Sequence, residues 1–171
     1  APALVGTVTV PTSAAGVATF SGLTLVGAVG NRTLGFSSGT LTGVVSGTIV
    51  VSAGAARTIA LNAGDNQTAG VGQPVAIPPS VLVTDTTGNP VSGVSVSWAV
   101  TVGNGAVGTP SAVTGVNGIA SAGGWTLGTT AGFDSLSATA AGLAGSPVHF
   151  GATVNPAGTG QLAITTQPSA T

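Results

Sequence analysis

The chain has 171 residues with two Lys+Arg, three Asp+Glu and one His, so charged side chains make up 3% of it, where roughly 25% is usual. Two cations, Arg32 and Arg57, cannot line a nucleic-acid groove. A single His without Cys builds no zinc or iron–sulfur site, and Asp65, Asp85 and Asp134 lie too far apart in sequence for a calcium cage.

Taken in chain order, the local patterns predict strands. Leu34 and Phe36 alternate with Thr33 and Ser37, a period of two that places the apolar pair on one face. Turn signals follow at Gly64-Asp65-Asn66 and Thr87-Gly88-Asn89-Pro90. Val94, Val96, Trp98 and Val100 then alternate with Ser95, Ser97, Ala99 and Thr101. Beyond turns at Gly103-Asn104-Gly105 and Asn117-Gly118, Leu136 and Ala138 alternate with small polar residues, as do Phe150 and Ala152. The apolar runs Ile49–Val51 and Val81–Val83 are too short for a membrane span. A hydrophobic fraction of 43% argues against disorder. No signal-peptide pattern is visible, and Ala1-Pro2-Ala3 fits a mature terminus or an internal cut.

The chain also matches itself. GVATFSGLTL at 16–25 and GIASAGGWTL at 118–127 share five of ten positions at an offset of 102. The register continues through Gly30/Gly132, Leu34/Leu136, Leu41/Leu143 and Gly43/Gly145, and TIAL at 58–61 meets QLAI at 161–164 at an offset of 103. Strands at intervals of about ten residues in a unit near 100 predict an all-β, two-sheet sandwich in tandem repeats of 102–103 residues. The predicted division is the second half of a repeat at 1–53, a complete sandwich at 54–156, and the opening strand of a third at 157–171.

Three stretches carry a family resemblance: Thr84–Val91 (TDTTGNPV), Gly118-Ile119-Ala120, and Trp125–Gly128 (WTLG). They resemble bacterial Ig-like tandem repeats of the invasin/intimin type. The resemblance implies modules of a large secreted or surface protein, serving as stalks with occasional adhesive tips, and it brings no catalytic residues.

The individual side chains read in the same sense. His149 alternates with Val148 and Phe150, facing outward without the Ser and Asp of a hydrolase triad. Asp85 is read as accepting backbone N–H groups of its own turn. Trp98 and Trp125 are read as core residues rather than a sugar-stacking platform, together with Val94, Val96, Leu136, Phe150, Leu34 and Phe36. Asn31 and Asn66 stand in N-x-T sequons and are candidate glycosylation positions. No catalytic, cofactor or metal residues are expected, and no cofactor.

Serines, threonines, glycines and alanines occupy the outward strand positions, where Lys and Glu normally keep edges from pairing. The half-unit 1–53 leaves an apolar face open. Its cover is expected from adjacent repeats of the same chain or from another copy donating Gln161, Leu162, Ala163, Ile164, Thr165 and Thr166 as a strand. The expected role is a structural module of an extracellular fibre or surface stalk. The alternative is an adhesin-type module that binds glycans or a host surface.

Overall fold

The computed structural model describes residues 3–158. Within them the chain is all-β, and no helix is long and apolar enough to cross a membrane.

Residues 3–51 carry six short strands in three antiparallel pairs. β1 (Ala3–Val5) pairs with β2 (Thr24–Val26), β3 (Gly30–Arg32) with β6 (Ile49–Val51), and β4 (Gly35–Phe36) with β5 (Val44–Val45). No described strand lies across their apolar face, and every one of these strands is exposed or half-buried.

Residues 58–155 form a two-sheet sandwich. One sheet is three-stranded: β7 (Thr58–Ala63) and β13 (Ile119–Ser121) flank β9 (Ser80–Thr84). The facing sheet runs β12 (Ser111–Val113), β10 (Ser95–Val102), β15 (Gly132–Thr139), β16 (Val148–Asn155), β8 (Gln67–Gly70). The small pair β11 (Ala106–Val107) and β14 (Trp125–Thr126) closes one side. Most pairs are antiparallel, but β8 runs parallel to β16, with Ala152 opposite Gln67. This architecture is an Ig-like β-sandwich.

Period-two alternation does the work of filling it. From β10, Val96 and Trp98 turn inward; from β15, Leu136 and Ala138; from β16, Phe150, Ala152 and Val154. Ile59, Val81, Val83 and Ala120 meet them from the other sheet. Each fully buried Val or Leu removes enough apolar surface from water to contribute about 1.5–3 kcal/mol. Trp98 and Trp125 belong to this core, 4% and 0% exposed. His149 sits on the outer face of β16 and is exposed.

Three expected core residues differ. Val94 is only half-buried, at the sandwich edge. Leu34 and Phe36 are half-buried as well, since among the described residues no sheet lies over 3–51 as one lies over their counterparts in 58–155.

Candidate functional site

Two features stand out where function would reside: the turn after β9, and the open face of residues 3–51.

The turn is held by one carboxylate. Asp85 Oδ1 accepts hydrogen bonds from the backbone N–H groups of Thr87 (2.8 Å) and Asn89 (2.9 Å) and from the Thr87 hydroxyl (2.8 Å). The backbone closes on itself, Asp85 N–H donating to Asn89 O at 3.0 Å. Gly88 takes the left-handed conformation the turn needs (φ 82°). So far this is the role the sequence suggests.

Its other contacts leave the turn. Oδ2 of Asp85 accepts the N–H of Gly54, in the segment joining β6 to β7, at 2.8 Å. Asn89 reaches further. Its side-chain oxygen accepts the N–H of Val29 and its Nδ2 donates to the carbonyl of Gly27, both at 3.1 Å. The same Nδ2 lies 3.0 Å from Asp85 Oδ2 and 2.7 Å from Thr87 Oγ1, so its two protons are shared among three acceptors. Asp85 and Asn89 are each 6% exposed. The Gly54 N–H holds the Asp85 carboxyl well below the usual carboxylate range, opposed by burial and reinforced by Asn89 and Thr87. Sequence reasoning missed this reach. The available signal was an acidic residue and an amide four apart in a chain almost without charge.

The open face is apolar. Leu4, Leu23, Leu25, Leu34, Ile49 and Val51 line a groove of about 420 Å3. Another hollow of about 260 Å3 is edged by Phe20, Phe36, Leu41 and Val44. Phe20 and Phe36 touch across the hollow with ring centroids 5.3 Å apart. The counterparts of the groove residues at offsets of 102–103 include Trp125, Leu127, Leu136, Ala152 and Val154, all 2% exposed or less. The candidate donor strand Gln161–Thr166 lies outside the described residues.

The remaining candidates are dispersed. Asn31 and Asn66 are both exposed, Asn66 donating to Asp65 Oδ2 at 2.9 Å. Among the described residues no three of His, Cys, Asp and Glu come together to hold a metal ion.

Two solved structures show similarity to this chain. One solved structure, the C-terminal 282-residue fragment of intimin in complex with the translocated intimin receptor's intimin-binding domain, is 26% identical over 60% of this chain, with a TM-score of 0.40. The chain is similar to intimin. A second structure, the D0–D1 domain of intimin, is 21% identical over 88% of this chain and 76% of its own, also at a TM-score of 0.40. The chain spans 33% of the length of the first intimin fragment. No protein-family model matches, and no curated protein does.

Proposed function

We propose that this chain is a structural module of an extracellular fibre or surface stalk, built from Ig-like sandwiches joined head to tail. One observation carries the reading. Residues 3–51 present an apolar groove whose counterpart in 58–155 is covered by β7 and β9 of the facing sheet and flanked in its own sheet by β10. Leaving such a face in water is unfavourable, so more of the same repeat covers it.

The internal match supports one choice of covering strand. Gln161–Ile164 aligns with Thr58–Leu61, the start of β7. In the complete unit, β7 bridges Ala144 in parallel at Thr58, and Ile59 N–H donates to Ala144 O at 2.9 Å. Thr42 occupies the Ala144 place in the half-unit. A donated Gln161–Thr166 strand therefore seats beside Thr42, against the hollow edged by Leu41 and Val44. This fills only the β7 place; a neighbouring repeat takes the places of β9 and β10. The near-absence of charge suits a load-bearing part whose interstrand hydrogen bonds resist shear.

With no Cys in the chain, the test is clean. Thr42→Cys and Gln161→Cys chains, mixed under oxidising conditions at high concentration, should form a mixed disulfide, and electron micrographs of the unmodified chain should show filaments. A monomer that forms neither overturns the reading.

A second reading, an adhesin-type module, rests on Phe133. Its ring is 60% exposed and lies over Gly151, beside Asn66 and Gln67 around a shallow hollow of about 140 Å3. An aromatic face flanked by amides suits a sugar ring. Binding on a glycan array that is lost in Phe133→Ala is the expected mark of that role, and no binding removes it.

A further inference from the structure

The turn after β9 spends much of its hydrogen-bonding capacity outside its own unit. Asn89 engages Gly27 O and Val29 N–H, and Asp85 engages Gly54 N–H. All three partner groups, two N–H donors and one carbonyl acceptor, are backbone groups of residues 3–57. They frame the β3–β6 pair: Gly27 and Val29 precede β3, and Gly54 follows β6.

The same frame recurs at the far end of the complete unit. Gly30 pairs with Val51, and Gly132 pairs with Val154. Arg32 pairs with Ile49, and Asp134 with Ala152. The two glycines share an unusual backbone conformation, with φ of 132° at Gly30 and 146° at Gly132. Offsets of 102 and 103 carry Gly27, Val29 and Gly54 onto Thr129, Ala131 and Ala157. All three of these residues are exposed.

We infer that the Asp85–Asn89 turn is a repeat-to-repeat latch, and that Thr129, Ala131 and Ala157 form the seat for the same turn of a following unit. The inference rests on the tandem reading and adds how successive units are held. The seat is read through backbone groups, so the change from Gly27, Val29 and Gly54 to Thr129, Ala131 and Ala157 removes no donor or acceptor from it, although Gly27 has a φ of 142° that Thr129 does not share. Local structure holds it in place: Asn104 accepts Thr129 N–H at 2.9 Å and donates to the Thr129 hydroxyl at 3.1 Å, and neither bond uses the Thr129 carbonyl. The partner is a unit carrying Asp and Asn four residues apart in a Gly-Asn-Pro turn. Two hydrogen bonds from an amide, plus one to an ionised carboxylate, fix the rotation of one unit on the next and not merely their spacing.

Amide hydrogen exchange on the whole chain tests both halves. In Asn89→Ala, exchange at Val29 should accelerate by about ten-fold while Val83 and Leu136 keep their protection. Extending the chain past Thr171 with a second copy of its own residues 69–158 should slow exchange at Ala131 and Ala157 by a similar factor. The Asn-to-Ala change in the added copy should reverse the slowing at Ala131. Unchanged exchange at Ala131 and Ala157 upon extension overturns the latch. If Asn89→Ala also strips protection from Val83 and Leu136, the unsubstituted extended chain still decides the matter. Filaments without this protection defeat the latch alone; protection without filaments defeats only the stalk reading.

Discussion

Trp98 packs on Phe150 with ring centroids 5.6 Å apart and planes tilted by 45°. The two sit on β10 and β16, with β15 between them, and the residue opposite Trp98 on β15 is Ala138, fully buried. A methyl side chain there lets the indole lean across to the phenyl ring. Ala138→Leu should push the rings apart and destabilise the sandwich by about 1–3 kcal/mol, the usual cost of overpacking. Urea unfolding followed by tryptophan fluorescence reads both the stability and the altered indole environment.

Trp125 is fully buried with its Nε1–H unpartnered. A buried donor without an acceptor costs about 1–3 kcal/mol, offset here by the area the ring buries. Trp125→Ala should cost about 3–5 kcal/mol through the cavity it leaves. Trp125→Phe should cost far less, because it keeps most of the ring and removes the orphaned donor. Equal losses in the two variants, measured by denaturant melts, would refute this account.

Gly103 has φ 88°, and a Cβ placed on it would collide with the carboxylate of Asp134, which is itself buried and accepts the Gly128 N–H at 2.6 Å. Gly103→Ala therefore meets two penalties, backbone strain and a clash with a group that cannot move without losing its donor. A loss of about 2 kcal/mol or more is expected. Gly16→Ala, at φ 76° but with open space around it, should meet only the strain. A thermal melt of both chains compares them.

Acid should weaken the turn that Asp85 holds. Its folded-state value lies below the ordinary carboxylate value of about 4. The ionised form therefore contributes stability in full above about pH 5, and that contribution fades as pH falls through 4 and below. Asp85→Asn should lower stability at neutral pH and flatten the acid limb of a stability–pH curve. An acid limb of unchanged steepness in the variant contradicts this origin.

Much of the complete sandwich was legible because one face of each strand is buried. Burial of alternate residues writes itself into sequence as period two, which marks β10, β15 and β16 and assigns Trp98, Leu136 and Phe150 inward. The Gly-Asn-Pro turn was equally readable, since its left-handed glycine and carboxylate acceptor are local requirements. Leu34 and Phe36 show the limit of that logic. Their alternation matches that of buried strands, but burial needs an opposing sheet, and pattern alone does not say whether one is present.

The amino-acid sequence by itself determined the strand class, the turn chemistry, the near-absence of charge and the internal correspondence at 102–103 residues, because each depends on neighbours along the chain or on composition. Only the tertiary structure decided that β8 lies parallel to β16, that Trp98 reaches Phe150 over Ala138, and that Asn89 grips Gly27 and Val29 some sixty residues earlier. Those contacts join backbone groups and side chains far apart in sequence. A backbone N–H or carbonyl carries no residue-specific signature, so its partner is fixed by where the folded chain brings it.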